Sequence, residues 1–316
     1  MSSQSWKTIC EMVRSQARRR QYFEMAEFRF YRGECRKTSE SAKCHTENRS
    51  LSLQELNAET FRLYGRMAIV TGAATGIGRA IAHKFAASGA SVCLLDISRT
   101  QAETVTAEIT KAGGTASTYE CDVSDKVSTE STFGTILQQG RVHILVNNAG
   151  VSHIGTVEST TEQEFDHVFR VNVKGYFNCI NAVIGKMKAA GGGVILNMAS
   201  VAGSAGLAER FAYSASKGAA IAMTYSVARD YIGHNIRCNC ISPARVHTTF
   251  VDGYLKKNYP GREQEMFEKL AKTQPIGRMG EPDEVASLAL FLCSDAASFI
   301  TGVNYPLDGG FMNLHG

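Results

Sequence analysis

Three side chains between positions 200 and 217 have the types and spacing for proton transfer. Ser200 is followed thirteen positions later by Tyr213, and four positions after that by Lys217. On a helix, residues four apart share one face, so Tyr213 and Lys217 would stand side by side. A phenol with a pKa of about 10 is a poor base at neutral pH. An ammonium group beside it favours the phenolate and lowers that pKa. Ser200, carried in from the end of a strand expected over Val194–Met198, can donate a hydrogen bond to the oxygen of a carbonyl or an alcohol. An ordinary i,i+4 pair at a helix start would show the same Tyr/Lys spacing, so the rest of the chain must decide.

The elements that would position these groups begin near Phe61. Met67–Thr71 (MAIVT) reads as a buried strand, and the turn TGAATGIG follows it, with Gly72, Gly76 and Gly78. A helix is expected from near Arg79. Strand, glycine turn and helix together offer backbone N–H groups to a pyrophosphate. The glycine spacing is G-x-x-x-G-x-G, and its position between a strand and a helix is what gives it weight. The second strand, Ser91–Asp96, ends in an acid 18 positions after Gly78. Such an acid can bind adenosine ribose hydroxyls and repel a 2′-phosphate, which favours NAD over NADP. Arg99 is the one basic residue just past it, so the preference is not absolute.

A helix over Thr100–Lys111 leads to a third strand, Ala116–Cys121, followed by Asp122. That acid is expected either to touch the adenine or to cap the helix beginning near Asp125. Val142–Val146 is the fourth strand and ends in Asn147–Gly150 (NNAG), whose amides can hold backbone and line a crevice. One long helix is expected from Thr161 to Ala189, with Phe165, Val168, Phe169, Val173, Phe177, Ile180 and Val183 as its apolar members. Asn172 inside it is a poor helix former and reads as a tolerated polar residue or a water-holding one beside Lys217. A helix from Tyr213 to about Ile232, a strand over Ile236–Ile241, a polar and partly helical insertion from Val246 to Pro275, a helix over Pro282–Cys293 and a strand over Val303–Leu307 complete the pattern. Repeated strand–helix alternation predicts an α/β fold, a doubly wound parallel seven-stranded sheet of Rossmann type in a single domain.

The 316 residues are 44% apolar and 20% charged, with a formal net charge of +4. That charge is too small to argue for a nucleic-acid partner, and no apolar run approaches the roughly 20 residues of a membrane span. Nine cysteines without a framework suggest a reducing, cytoplasmic setting. Cys238 and Cys240 would share one face of a strand, as buried apolar residues rather than metal ligands, and no metal is expected. Residues 1–60 differ from the rest. Their Arg18–Arg20 run and Ser/Thr-rich stretch suit a targeting peptide, but Glu11, Glu24, Glu27 and Glu34 do not. They read as a weakly ordered extension or an unused upstream start, ahead of a catalytic domain over 61–316.

Taken in order, TGAATGIG, Asp96, Asp122, NNAG, Asn172, Ser200, Tyr213-x-x-x-Lys217, Pro243 and the DGG at Asp308 resemble the short-chain dehydrogenase/reductase family. Each motif is weak, and the ordered set is specific. The resemblance implies a nicotinamide cofactor, NAD before NADP, and hydride transfer at a carbinol carbon. It implies that Tyr213 is the general acid/base, that Ser200 polarises the substrate oxygen, that Lys217 binds the nicotinamide ribose and tunes Tyr213, and that Asn172 holds a relay water. It places the cofactor along Gly72, Thr75, Gly76, Ile77, Gly78, Asp96, Asp122, Val123, Asn148, Ala149, Gly150, Tyr213, Lys217, Pro243, Val246 and Thr248. It also implies a homotetramer, or a homodimer, built on the two long helices and the last strand.

One departure is Pro243–Ala244 where the family has Pro-Gly, followed by Arg245. Arg210 and Arg245, with His153, are expected to face a small-molecule substrate. The arginines suit a carboxylate, since a guanidinium fork binds one bidentately. This resembles the branch acting on hydroxybutyrate or keto-deoxy sugar acids. As solvated loop residues the arginines would carry no such meaning. Two other functions are open: an acyl-thioester reductase, which would more often use NADP, and a dinucleotide-binding protein without turnover, which would not need all four catalytic groups.

Overall fold

The strand–helix alternation is realised over residues 61–314, which the computed structural model describes. The extension read over residues 1–60 lies outside the described residues. Seven strands form one sheet in the order β3-β2-β1-β4-β5-β6-β7. They are β1 (Met67–Thr71), β2 (Ser91–Asp96), β3 (Thr115–Glu120), β4 (Val142–Asn147), β5 (Gly193–Met198), β6 (Ile236–Pro243) and β7 (Asn304–Leu307). Every pairing is parallel. The order reverses between β1 and β4, which opens a crevice at the carboxyl edge where such sheets bind ligands.

The helices are α1 (Gly76–Ala87), α2 (Arg99–Lys111), α3 (Lys126–Gln139), α4 (Glu162–Phe169), α5 (Gly175–Ala189), α6 (Phe211–Tyr231), α7 (Thr249–Asn258), α8 (Glu263–Ala271) and α9 (Pro282–Cys293). Alternate strand residues feed two core layers, as a period of two requires. Val70, Leu94, Ile144 and Leu196 pack with Ile81, Phe85, Ile109, Val285 and Leu292 of α1, α2 and α9. Ile69, Leu95, Leu145 and Ile195 pack on the other face with Phe133, Ile136, Cys179 and Val183 of α3 and α5. Each large side chain buried in this way stabilises the fold by about 1.5–3 kcal/mol.

Local signals explain where helices start. Asp125 caps α3, accepting from the N–H groups of Val127 and Ser128. Asp122 therefore does not cap that helix; its carboxylate accepts from Ser124 N at 2.9 Å. Thr161 and Glu164 close a capping box on α4, and Glu281 and Glu284 close another on α9, with Pro282 in its first turn.

The long helix expected from Thr161 to Ala189 is interrupted. Arg170–Lys174 form a π-turn between α4 and α5. The wider i→i+5 spacing inserts a residue and shifts the face presented to the core. After the turn, Tyr176, Cys179 and Ile180 are buried, and Phe177, expected on the apolar face, is 53% exposed.

Candidate active site

The turn after β1 is built for close approach. Gly72 and Gly76 take φ values of +62° and +53°, which favour glycine. A Cβ at Gly78 would stand 2.0 Å from the Gly72 carbonyl oxygen, and one at Gly72 would stand 2.8 Å from Ala149 Cα. The NNAG segment clamps this turn. Asn148 Nδ2 donates to the carbonyls of Thr71 and Gly72, both at 3.0 Å. Thr71 Oγ1 accepts from the N–H groups of Asn148 and Ala149. Thr71 was not singled out from the sequence, because its partners lie more than seventy positions away and leave no local pattern.

Thr75 precedes α1 in an extended conformation and makes no capping bond with its side chain, and the first turn holds no acid. The N–H groups of Gly76, Ile77 and Gly78 thus open the helix without a side-chain acceptor, an arrangement suited to an anion. Asp96 stands beside them, with Oδ2 accepting from Ala74 N and Oδ1 from Ser98 N, both at 3.0 Å. Each carboxylate oxygen keeps a second lone pair for a ligand. Thr248 approaches from the loop after β6, with Cγ2 3.5 Å from where a Gly76 Cβ would lie. Val123 is held by Asn178, whose Nδ2 donates to its carbonyl at 2.9 Å. Asp122 is exposed at the end of β3, and Val246 is buried past Pro243. Glycine at 72 and 78 lets this turn close on itself and on NNAG, and the uncapped N–H groups opening α1 beside the Asp96 carboxylate fit a dinucleotide.

Ser200, Tyr213 and Lys217 converge at the same edge. Ser200 Oγ accepts from Ala202 N at 3.2 Å and donates to the Pro243 carbonyl at 3.4 Å. Lys217, only 4% exposed, sends Nζ to the Met198 carbonyl at 2.7 Å and to Tyr176 Oη at 3.4 Å. Nζ stands 5.8 Å from the Tyr213 ring centre. Burial pulls the Lys217 pKa down to about 8. Burial raises that of Tyr213, against the Ser200 hydrogen bond and the charge of Arg210. The depression of the Tyr213 pKa expected from Lys217 is therefore corrected: desolvation wins, and the groups that oppose it are Ser200 and Arg210.

Asn172 is fully buried in the π-turn. Its Oδ1 accepts from Val151 N at 2.8 Å, and its Nδ2 donates to the Val151 carbonyl at 2.9 Å and to Ser216 Oγ at 3.0 Å. Both amide hydrogens are committed, so the side chain ties the turn to the loop after NNAG. A Cβ at Gly150 would lie 3.1 Å from Asn172 Oδ1 and 3.5 Å from Lys217 Nζ, so both groups flank that glycine.

The rim carries the arginines. Arg210 is locked at its backbone by a bridge to Gly155: Gly155 N donates to Glu209 O at 3.0 Å and Phe211 N to Gly155 O at 3.1 Å. Glu209 takes φ +55° to allow this, which costs a residue with a side chain about 1–2 kcal/mol. Arg245 is exposed, with Nε donating to Thr273 Oγ1 at 3.0 Å. Partial desolvation and then the like charge of Arg210 hold its pKa below the usual arginine value. Among the described residues neither arginine pairs with a carboxylate within 4 Å. His153 faces Glu164, with 3.6 Å between Nε2 and Oε2, and its buried Nδ1 has no partner. Cys238 and Cys240 are both buried, and burial raises both thiol pKa values.

A family model described as enoyl-(acyl carrier protein) reductase matches residues 72–312, the span that holds Asp96, Asn172, Ser200, Tyr213 and Lys217. The chain belongs to the short-chain dehydrogenase/reductase family. It is 38% identical over 260 residues to D-threitol dehydrogenase of Mycolicibacterium smegmatis, covering 82% of this chain and 97% of that one. It is 39% identical over 252 residues to NAD-dependent glycerol dehydrogenase of Listeria innocua, covering 79% and 95%. The structure of 7α-hydroxysteroid dehydrogenase with NADH and 7-oxo glycochenodeoxycholic acid superposes with a TM-score of 0.73 at 36% identity, covering 80% of this chain and 97% of that one. The chain is thus an oxidoreductase of CH–OH groups, in a family whose members bind nicotinamide cofactors.

Proposed function

We propose that the protein is an NAD-dependent dehydrogenase of a small hydroxy acid or sugar acid, oxidising a secondary alcohol or reducing the matching ketone. The meeting of Ser200, Tyr213 and Lys217 beside a glycine cradle carries the reaction type. The cofactor would be held by the turn Gly72–Gly78, by Asp96 at the adenosine ribose and by the loop through Val246 and Thr248. When bound, its nicotinamide supplies or accepts the hydride. Ser200 orients the substrate oxygen, and Tyr213 takes or returns the hydroxyl proton. Lys217, charged below about pH 8, steadies the phenolate. Asn172 fixes the loop that carries Gly150 and Val151.

The substrate class rests on Arg210 and Arg245, two neighbouring cations at the rim with no carboxylate partner among the described residues. A substrate carboxylate would relieve their mutual repulsion. A neutral polyol is the second reading, supported by the relatives that act on D-threitol and glycerol. Asp96 weighs against an NADP-dependent thioester reductase. The outer face of α4 and α5 supports assembly into a homotetramer or homodimer: exposed Phe177 lines an open concavity of about 640 Å³ together with Phe169 and Val173 and with the charged Asp166, Arg170 and Lys174.

The test is an NAD reduction screen across polyols, aldonates and hydroxy acids, run beside Tyr213→Phe. Turnover in that variant should fall by about 10²–10⁴-fold, the usual loss for a general acid/base, with NAD affinity little changed. Near-normal turnover would sink the mechanism.

A further inference from the structure

Tyr176 is a buried titratable group next to the reacting side chains, and no part of the proposed mechanism uses it. It is 1% exposed, and its hydroxyl donates to the Met198 carbonyl at 2.9 Å. The same carbonyl accepts from Lys217 Nζ at 2.7 Å, and Nζ reaches the Tyr176 oxygen at 3.4 Å. The three atoms close a triangle. The carbonyl has two lone pairs, so it accepts both bonds without competition. The phenol oxygen donates its proton to the carbonyl and turns a lone pair to the ammonium, and the ammonium stands 5.4 Å from the Tyr176 ring centre. Of three ammonium hydrogens, one remains for the side of Tyr213, whose ring centre is 5.8 Å away.

We propose that Tyr176 is a positioning residue, whose buried hydroxyl and the Met198 carbonyl together clamp the Lys217 ammonium beside Tyr213. The inference rests on the proton-transfer role given above to Tyr213 and Lys217. The π-turn makes the clamp, because the residue it inserts turns Tyr176 inward and Phe177 outward. Gly175 lets the helix seat there, since a Cβ would stand 2.9 Å from Val123 Cγ2.

The clamp offsets the cost of a buried ammonium that no carboxylate neutralises among the described residues. The groups beside it are Tyr213 on its own helix, Tyr176 on α5 and, across Gly150, the neutral amide of Asn172, while Cys179 on α5 and Cys240 on β6 neighbour Tyr176. Burial holds Tyr176 and Cys179 protonated at all ordinary pH values and raises Cys240 to about 11. Tyr176 therefore acts as a fixed dipole and does not exchange its own proton. Removing its hydroxyl removes an acceptor from the charged form of Lys217 alone, so the lysine pKa must fall. A less populated ammonium supports the Tyr213 phenolate less, so the pKa of Tyr213 must rise.

The experiment is Tyr176→Phe in the full chain, with Lys217 followed by NMR of ¹³C-labelled lysine and its signal assigned by loss in Lys217→Met. The neighbours Ala199, Ala220 and Ile221 are apolar and accept the phenyl ring, so the variant should fold. Lys217 should titrate near 8 in the wild-type protein. In Tyr176→Phe it should titrate about half to one unit lower, the scale of one long hydrogen bond to a charged group. The same downward step should appear in a Tyr213→Phe background, so the result stands even if Tyr213 proves not to be the proton carrier. In the active enzyme, where the Lys217 pKa lies below that of Tyr213, the two limbs of kcat/KM should move apart and the maximum should fall. An unchanged Lys217 titration overturns the proposal. So does a rate loss equal at every pH, which would mark Tyr176 as packing only.

Discussion

The carboxylate of Asp96 accepts a hydrogen bond from the main-chain N–H of Ala74 at 3.0 Å, so the acid that ends β2 is part of the glycine turn after β1. One residue thereby shapes the glycine turn and presents negative charge at the place proposed above for an adenosine ribose.

Asp96→Ala should consequently do two things. It should narrow the gap between NAD and NADP, by removing the charge that repels a 2′-phosphate. It should also weaken both cofactors, because the turn loses the Ala74 tether. Asp96→Asn keeps an acceptor for Ala74 and loses the charge, so it should narrow the gap at less cost in NAD affinity. Direct titration of both cofactors checks this, and tighter NADP than NAD binding by the wild-type chain would reverse the reading of the acid.

Glycine positions separate by what surrounds them. A Cβ at Gly78 meets the Gly72 oxygen at 2.0 Å and Asn148 Nδ2 at 2.5 Å, with backbone on one side that cannot move aside. Gly78→Ala should therefore lower the melting temperature and abolish measurable cofactor binding. Gly134 is exposed within α3, and a Cβ there meets nothing within 4 Å. Gly134→Ala should stabilise the fold by about 0.5–1 kcal/mol, the helix-propensity gain. Denaturant unfolding of the two variants should move their midpoints in opposite directions.

The strands were legible because a run such as Met67–Thr71 is apolar throughout and bounded by a glycine turn. The helix over Pro282–Cys293 was legible because Pro282 marks its start. Local signals also brought Ser200, Tyr213 and Lys217 to one edge. What stayed hidden depends on long-range partners or on backbone spacing. The π-turn at Arg170–Lys174 leaves the apolar pattern nearly unbroken on either side, so Phe177 looked inward and Tyr176 passed unnoticed. The bridge between Gly155 and Arg210 joins two loops with no recurring pattern. Burial raises the Tyr213 pKa against Ser200 and Arg210, a balance that the spacing of Tyr213 and Lys217 cannot express.

Arg210→Met and Arg245→Met test the substrate class. A charge-assisted hydrogen bond is worth about 1.5–3 kcal/mol, and solvent exposure of Arg245 puts it at the low end. Each substitution should raise KM for a hydroxy or sugar acid by about tenfold or more, with kcat and the KM for a neutral polyol little changed. Arg210 should show the larger effect, because its backbone is held by Gly155 and loses less freedom on binding. Equal activity on an acid and on its amide, insensitive to both substitutions, would leave the neutral polyol as substrate.

Lys217 also makes the stability of the fold depend on pH. Its pKa is pulled from the ordinary 10.5 to about 8 by burial. Between those values the unfolded chain binds a proton that the folded chain does not, so folding gains stability as pH rises through that window. Below pH 8 both states are protonated, and the folded state bears the full cost of the buried charge. Lys217→Met removes the titration and substitutes an apolar group of similar length. The difference in melting temperature, variant minus wild type, should be constant from pH 6 to about 8 and then decrease steadily toward pH 10.5. Subtraction cancels the alkaline destabilisation common to both proteins, and the fixed loss of the Met198 hydrogen bond shifts the whole curve without bending it. Thermal melts at half-unit intervals would show the bend near pH 8, and a flat difference across the range would mean that Lys217 is not held charged at a cost in this fold.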